Sequence, residues 1–393
     1  MKTLRPGLLA AGLLAVLAAT LRAATPASGP WDLTELRRAP QATWGATNGL
    51  LQEGYYAGEP FQGKPTRVFA YYGRPEGKGP FPAVLLVHGG GGTAFPDWAK
   101  HWAQSGYAAL AMDLAGNGPQ GKLPDGGPDQ RDEVVFRDFT APETRDMWSY
   151  HAVAAVIRGH SLLLSKPEVD ARRTALTGIS WGGYLTCIVA GLDDRFKAAV
   201  PVYGCGFLHE NSYWVEPNFA KMSAARRQRW VDNFDPSRYL GRVKCPMLFV
   251  NGTCDFAYPL DSYRKSYNLV RTPVTLAVKI NRPHGHYWNF GEVDAFMDSY
   301  LTGGQPLPKL SAMKTLKGIA SVTVSSPAPV AKAELDYTTG TGSWPQRVWK
   351  TAPAEVKGAA VTAPLPAERP LVFYLLVTDE RGLSVSTPHA ELP

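Results

Sequence analysis

Six short segments of this chain are apolar throughout instead of alternating with polar residues. They read FPAVLLVHGGGG, YAALAMDLAG, RTALTGIS, FKAAVPVYG, CPMLFVNGTCD and VTLAVKINRPHG. Strands that are buried on both faces of a parallel sheet need this pattern. Segments with helical spacing lie between them, including Asp97 to Ser105, TRDMWSYHAVAAVIRGHSLLL, GGYLTCIVAGL and GEVDAFMDSYLTGG. The alternation predicts an α/β fold with a doubly wound, mostly parallel sheet.

The pattern changes after Gly304. The segment QPLPKL reads as a linker, and short alternating segments interrupted by proline and glycine follow it. Such segments are typical of a small antiparallel β-sandwich of immunoglobulin or fibronectin type. We therefore expect an α/β domain over residues 25–304 and an accessory sandwich over residues 305–393.

The N-terminus has the pattern of a secretory signal peptide. Lys2 and Arg5 supply a positive start, Leu8 to Ala19 an apolar run, and Ala23 and Ala24 a cleavage site of small residues. A signal peptide over residues 1–24 is expected, which predicts a secreted or periplasmic protein. The alternative is an uncleaved N-terminal anchor.

Charge excludes one class of partner. The formal charge of +7 falls to about +4 once the three basic residues of the signal are removed. The remaining Lys and Arg residues form no basic run, so we expect no nucleic-acid partner. No later apolar segment is long enough to span a bilayer, so stable membrane insertion is not expected.

Gly178-Ile179-Ser180-Trp181-Gly182 satisfies the pattern G-x-S-x-G between an apolar strand and a helical segment. In that context the serine sits in a strained strand-to-helix turn, whose close neighbours must lack side chains. The following helix points its N-terminal amides at an anion that develops on the substrate. Ser180 is thus the candidate nucleophile, and the alternative is a plain structural turn.

A serine nucleophile needs a base, and the base needs an orienting acid. Asp255 follows the segment MLFVNGTC, and Asp261 is a fallback within a predicted helix. The segment RPHGHYW offers two histidines. His284 lies nearer the end of its strand and is the preferred base, which leaves His286 to support the site or contact the substrate.

The glycines of VHGGGG are candidates for an oxyanion hole, because glycines let backbone amides approach a tetrahedral intermediate. The amide of Gly89 or Gly90 would act together with the amide of Trp181. His88 is expected to hold this loop by a hydrogen bond. A phosphate-binding loop is the rival interpretation, but no Lys-Ser/Thr follows and no GxGxxG is present.

These motifs together resemble the dienelactone hydrolase and acetyl xylan esterase group of α/β-hydrolases, which shares its core with prolyl-oligopeptidase-type peptidases. The resemblance rests on HGGGG, GISWGG, NGTCDFAYP and PHGH and covers about Leu50 to Gly304. It implies a catalytic triad of Ser180, Asp255 and His284. Dienelactone hydrolases proper use a cysteine nucleophile, so the serine here favours ordinary esters.

The resemblance and the expected export together indicate a short-chain ester, above all an acetyl ester, of a small molecule or a polysaccharide such as acetylated xylan. No metal or organic cofactor is needed for this chemistry. Aromatic walls suit sugar rings, and four aromatic residues near the expected strand ends should crowd the mouth of the site: Tyr203, Phe207, Tyr258 and Trp288. The indole of Trp181 is expected on the substrate side.

Two other functions remain open from the sequence. One is a serine exopeptidase, although the roughly 55 residues between the signal and the first buried strand cannot build the propeller that such enzymes usually carry. The other is a glycan-binding protein without catalysis.

Of the four cysteines, Cys205 and Cys254 would come within disulfide range if adjacent strand ends bring them together.

Overall fold

The computed structural model describes residues 28–393, and the expected signal peptide lies outside them. Eleven strands precede residue 305: β1 (Ala42–Asn48), β2 (Leu51–Ala57), β3 (Arg67–Gly73), β4 (Phe81–Val87), β5 (Ala108–Met112), β6 (Asn117–Gly118), β7 (Gly121–Lys122), β8 (Val169–Ile179), β9 (Ala198–Val202), β10 (Met247–Gly252) and β11 (Val274–Lys279). The α-helices of the described residues are α1 (Leu33–Leu36), α2 (Pro96–Gln104), α3 (Asp132–Val135), α4 (Trp148–Leu164), α5 (Trp181–Leu192), α6 (Ala224–Phe234), α7 (Leu260–Tyr267) and α8 (Gly291–Leu301).

The central sheet has the strand order β1-β2-β3-β5-β4-β8-β9-β10-β11. Its strands from β5 to β11 pair in parallel, whereas β1, β2 and β3 are antiparallel. Each apolar run predicted to be a buried strand is one of these parallel strands, and the doubly wound α/β prediction is confirmed. Because parallel strands end at one edge, the residues that follow β4, β8, β9, β10 and β11 lie near one another.

Two pairs of helices accompany this sheet. Helix α4 packs against α5, and α2 is joined to α8 by a hydrogen bond of 3.0 Å between His101 Nε2 and Asp294. Helix α4 is buried along nearly its whole length because its sequence is apolar on every side. Its charged member, Arg158, pairs with Glu59. No helix within residues 28–393 is long and apolar enough to cross a membrane.

Ten further strands follow: β12 (Lys309–Leu310), β13 (Lys314–Leu316), β14 (Ile319–Ser325), β15 (Val330–Thr338), β16 (Lys350–Pro353), β17 (Glu355–Lys357), β18 (Ala360–Pro364), β19 (Leu371–Asp379), β20 (Ser384–Ser386) and β21 (Ala390–Leu392). One sheet has the order β12-β14-β18-β17, with β13 paired to β14. The other has the order β20-β19-β15-β16, with β21 paired to β19. The expected antiparallel sandwich is therefore present, and the exact division at residue 305 stays a prediction.

The sandwich is more closely joined to the α/β part than a linker implies. Strand β20 pairs with β11 at Leu276 and Ser386, so the central sheet continues into the sandwich. Arg381 donates hydrogen bonds to the carbonyl oxygens of Gln305 (3.1 Å) and Pro306 (2.7 Å) in the predicted linker. A buried apolar cluster spans the junction and contains Leu260, Val278, Trp344, Trp349, Val372, Tyr374 and Leu376.

The disulfide that the sequence left open between Cys205 and Cys254 does not form in the structure. Cys205 and Cys254 are both free thiols, as are the other two cysteines. Cys205 is buried, and burial raises the pKa of its thiol. The Sγ atom of Cys254 instead faces the sandwich, 3.0 Å from Asn281 Oδ1 and 3.5 Å from the carbonyl oxygen of Arg347. The pairing prediction was wrong because adjacent strand ends do not fix the direction of a side chain.

Candidate active site

Ser180 lies at the junction of β8 and α5 in a strained backbone conformation, with φ of 61° and ψ of −121°. The turn is close-packed, as the glycine pattern predicts. A Cβ on Gly178 would overlap the carbonyl oxygen of Gly182, and one on Gly182 would overlap the carbonyl oxygen of Val87. The strain therefore persists because the surrounding backbone leaves the turn no room to relax.

Asp255 follows β10, and His284 follows β11. The Nδ1 atom of His284 lies 2.8 Å from Asp255 Oδ2. The other carboxylate oxygen, Oδ1, accepts hydrogen bonds from the amides of Ala257 (2.9 Å) and Tyr258 (2.7 Å). The carboxylate is thus buried and fixed by three donors, and it orients the imidazole through Nδ1.

The fallback acid, Asp261, does not reach this histidine. It lies in the first turn of α7, as predicted, and both its oxygens accept hydrogen bonds of 2.9 Å from Asn211 Nδ2. Of the two candidate acids, the structure brings Asp255 to His284.

His286 occupies a different place from His284. Its Nε2 atom accepts a hydrogen bond of 3.0 Å from the amide of Gly89. A side chain on Gly89 would lie 2.5 Å from that Nε2 atom and 2.7 Å from Ser180 Cβ, so His286 borders the serine. Burial, together with the nearby histidines, lowers the pKa of His286 to about 4. The ring is accordingly neutral near pH 7 and able to accept this bond.

Of the two candidate glycine amides in this loop, one already has a hydrogen-bond acceptor. The amide of Gly89 is engaged by His286, which leaves the amides of Gly90 and Trp181 as candidates for an oxyanion hole. Gly90 is exposed, and a side chain there would lie 2.9 Å from Trp181 Cδ1. His88 donates from Nδ1 to the Gly89 carbonyl oxygen (2.7 Å) and accepts at Nε2 from the amide of Leu114 (2.8 Å). The expectation that His88 holds the loop is confirmed.

Two of the aromatic residues expected at the mouth instead lie behind His284. Tyr203 and Tyr258 are fully buried. Their rings stack on the imidazole with centroid distances of 4.8 Å and 6.4 Å. The hydroxyl of Tyr203 also donates to the carbonyl oxygen of Pro283 at 2.9 Å. Both rings belong to the buried core, so they support the imidazole and form no exposed wall.

The other two, Phe207 and Trp288, keep part of their side chains exposed. The Phe207 amide is bound by buried Asp235 (2.9 Å). Trp288 donates from Nε1 to Asp294 (3.1 Å) and packs on Trp98 with centroids 5.4 Å apart. Both are half-buried side chains within polar and aromatic clusters of their own.

The indole of Trp181 is buried as well. Its ring lies 4.4 Å from that of Trp214, and one edge faces Gly90. The sequence predicted that this indole faces the substrate. In the structure it instead packs against Trp214.

Sequence reasoning missed the aromatic residues that do stand at the surface. Phe256 and Tyr213 are 53% and 54% exposed, and the Phe256 ring lies 4.9 Å from that of His284. The sequence indicated both residues weakly, through their positions. Phe256 directly follows the candidate acid, and Tyr213 belongs to the long connection between β9 and β10.

Part of this chain is similar to a known protein family. The family model described as acetyl xylan esterase (AXE1) matches residues 55–240, which include the turn at Ser180 and end before Asp255 and His284. Acetyl esterase Axe7A of Xylanibacter ruminicola is 24% identical over 250 residues. The aligned part is 58% of this chain and 54% of that relative, so the chain spans about half the relative's length.

Two solved structures share the fold. The acetyl xylan esterase of a Paenibacillus species has a TM-score of 0.56 at 23% identity, covering 68% of this chain and 92% of that one. Acetyl xylan esterase 1 of a Thermoanaerobacterium species has a TM-score of 0.54 at 21% identity, covering 68% and 93%. The fold is that of the α/β-hydrolases. Residues 55–240 are similar to the acetyl xylan esterase family, and the fold is shared with solved acetyl xylan esterases.

Proposed function

We propose that this protein is a serine carboxylesterase that removes short acyl groups, above all acetyl groups, from a carbohydrate such as acetylated xylan. The observation that carries the proposal is the hydrogen bond of 2.8 Å between His284 and Asp255 at the sheet edge that also holds strained Ser180. A serine, a base and an orienting acid thus follow three parallel strands that end at one edge, which supports an acyl-transfer enzyme.

In the first half of the reaction, Ser180 Oγ attacks the ester carbonyl carbon while His284 Nε2 takes the hydroxyl proton. Asp255 keeps the remaining imidazole proton on Nδ1 and stabilises the imidazolium that forms. The intermediate then collapses, and His284 returns the proton to the departing alcohol oxygen. An acyl group stays on Ser180, and water attacks it with His284 as base, which releases the carboxylic acid and the free serine.

The negative oxygen of each tetrahedral intermediate would be bound by the amides of Gly90 and Trp181. Both are backbone donors, fixed before the substrate arrives, which is what makes such donors effective in catalysis. His286 acts on this loop as a positioning residue, because its bond to the Gly89 amide fixes the His88–Gly89 peptide, one residue before Gly90.

The choice of an acetyl ester rests on two supports. The relatives that match this chain include an acetyl esterase and two acetyl xylan esterases by description. Around the serine, Trp181 and Trp214 pack tightly with ring centroids 4.4 Å apart, and filled aromatic walls favour a small acyl group. We further propose that residues 1–24 direct export, which would bring the enzyme to plant-type polysaccharide outside the cell.

A substrate panel tests the proposal. The purified chain is given p-nitrophenyl acetate, butyrate and octanoate, acetylated xylan, and a dipeptide naphthylamide. We expect the fastest turnover for the acetate ester, acetate release from xylan, and no hydrolysis of the amide. Ser180→Ala should lower kcat on every ester by roughly 10⁴-fold or more, the usual cost of removing a serine nucleophile.

The matched control is Ser299→Ala, a serine of α8 whose hydroxyl donates to the carbonyl oxygen of Phe296. It should keep wild-type turnover. Residual esterase activity of Ser180→Ala near the wild-type level would contradict the nucleophile. Faster hydrolysis of the naphthylamide than of any ester would favour a peptidase, and turnover of p-nitrophenyl acetate without acetate release from xylan would contradict the carbohydrate substrate.

A further inference from the structure

Two exposed aromatic rings stand beside the candidate base. Phe256 and Tyr213 are each about half exposed to solvent. A phenylalanine and a tyrosine in that position leave large apolar faces in water, which costs free energy unless a ligand covers them. Neither ring has a part in the proton transfers described above.

The two rings form a corner of fixed geometry. Their centroids are 5.8 Å apart, and their planes stand at 85° to each other. The Tyr213 amide donates to the carbonyl oxygen of Ala257 (3.3 Å), which ties the long connection to the loop of the acid. Tyr213 also packs edge-on against Trp214, with centroids 5.8 Å apart. The corner is therefore built from two segments that hold each other in place.

The corner is also continuous with the reaction centre. The Phe256 ring lies 4.9 Å from the His284 ring, and Trp214 connects Tyr213 to Trp181. A group that rests on these rings would lie next to the leaving-group side of the proton-carrying histidine. It would belong to the alcohol part of the ester, because His284 delivers its proton to that oxygen.

The chemistry of the corner suits a pyranose ring better than an alkyl chain. A sugar has an apolar face of C–H groups and an edge of hydroxyl groups, so it can stack on one aromatic ring while its hydroxyls stay in water. An alkyl chain that rests on two half-exposed rings would keep its outer apolar side in water and would leave the Tyr213 hydroxyl without a partner. The Tyr213 hydroxyl adds a polar group for a sugar hydroxyl.

We infer that Tyr213 and Phe256 form a sugar-binding subsite that holds the pyranose ring of the glycan chain that carries the ester. The inference rests on the proposed esterase function and extends it from the bond that is cleaved to the polymer that is recognised. It predicts that the two rings raise kcat/KM for polysaccharide substrates far more than for an ester whose alcohol is a small phenol.

The first test compares two substrates in each variant. The kcat/KM ratio of acetylated xylan to p-nitrophenyl acetate is measured for wild type, Tyr213→Ala, Phe256→Ala and Tyr300→Ala. We expect the ratio to fall roughly tenfold in the first two variants, the usual size for loss of an aromatic anchor. Tyr300→Ala is the matched control, since this tyrosine is 41% exposed on α8, and its ratio should stay at the wild-type value. An unchanged ratio in both Tyr213→Ala and Phe256→Ala would overturn the subsite.

The second test does not depend on turnover. Ser180→Ala protein is titrated calorimetrically with acetylated xylo-oligosaccharides, with and without Tyr213→Ala. A several-fold weaker Kd in the double variant, and an unchanged Kd when Tyr300→Ala is added instead, would support the subsite. No binding, or binding that is indifferent to Tyr213, would overturn it. If wild type hydrolyses no ester, the proposed function fails, and this titration alone decides the subsite. Binding of the dipeptide naphthylamide that needs Tyr213, without binding of the oligosaccharide, would overturn the sugar assignment.

Discussion

The carboxyl edge of the parallel strands and the C-terminal sandwich share one continuous sheet but differ in where the backbone is strained. Four of the described non-glycine residues with positive φ follow the strands at this edge: Ser180, Tyr203, Phe207 and Asn281. In the sandwich, Lys317 has a positive φ, in the tight turn between β13 and β14. Each such residue costs on the order of 1 to 3 kcal/mol, so strain is concentrated where the candidate chemistry lies.

Buried polar groups differ in the same way. At the edge, the Asp255 carboxylate has three donors, one of them the candidate base. In the sandwich, Asp336 is equally buried, accepts a hydrogen bond of 2.7 Å from Thr351, and burial raises the pKa of its carboxyl group. The buried carboxylate at the edge is thus bound by the candidate base, whereas the buried carboxylate of the sandwich is bound by a threonine of the neighbouring strand.

The largest effect is expected when the two buried acids are exchanged for their amides. Asp255→Asn should lower kcat by roughly 10³- to 10⁴-fold, because the amide cannot hold the imidazole proton on Nδ1 and stabilise its charge. Asp336→Asn should leave kcat within about twofold, since it lies outside the site. Steady-state kinetics on p-nitrophenyl acetate measure kcat for both variants. A larger loss in Asp261→Asn than in Asp255→Asn would reverse the assignment of the acid.

A smaller but still large effect is expected for two glycines. In Gly182→Ala the new methyl group would overlap the carbonyl oxygen of Val87, so the tight turn cannot form. We expect a loss of about 3 kcal/mol or more in the free energy of unfolding, since overpacking against backbone is not relieved by a rotamer change. Gly342→Ala in the sandwich meets no atom within 4 Å and should be nearly neutral. Urea unfolding measures the change in the free energy of unfolding for both variants. Equal losses in Gly182→Ala and Gly342→Ala would show that the turn at Ser180 is not especially close-packed.

The smallest effect concerns two histidines, one in each region. Burial lowers the pKa of both His286 and His389 below the ordinary value of about 6.5. Between pH 6.5 and about 4, His286 is therefore protonated in the unfolded chain but stays neutral in the folded protein. The free energy of unfolding falls as the pH falls through this range. His286→Phe and His389→Phe should each reduce the slope of unfolding free energy against pH, by at most one proton.

Kinetics separate the two histidines. His286→Phe should also lower kcat at pH 7.5, by roughly tenfold, because the Gly89 amide loses its acceptor and the loop of the oxyanion hole loosens. His389→Phe should leave kcat unchanged, because its ring packs on Trp344 in the sandwich. If both variants have wild-type kcat, His286 has a role in stability alone and none in positioning.

The sequence predicted the sheet and the order of the candidate residues because both depend on local patterns. Apolar runs mark strands buried on both faces, and a glycine-flanked serine after such a run marks a strand-to-helix turn. Asp255 and His284 could be placed because parallel strands end at one edge, whatever the details of their loops.

The predictions that were wrong concern the directions of side chains. These directions depend on the conformations of loops, which local sequence patterns do not specify. Tyr203 and Tyr258 were expected at the mouth and are buried, whereas Phe256, two residues before Tyr258, is exposed. The Cys205–Cys254 pairing failed for the same reason, since Cys254 turns toward Arg347 of the sandwich. The pairing of β11 with β20 joins residues 110 positions apart, at Leu276 and Ser386, and no local pattern signals such a contact.

The central claim is that the strained residue between β8 and α5 is the nucleophile. The most direct measurement treats the protein with a serine-reactive fluorophosphonate and locates the adduct by peptide mass spectrometry. We predict a single adduct on Ser180, its loss in Ser180→Ala, and slower labelling in Asp255→Asn, where the base is no longer oriented. An adduct on another residue, or labelling of Ser180→Ala at the wild-type rate, would contradict the account.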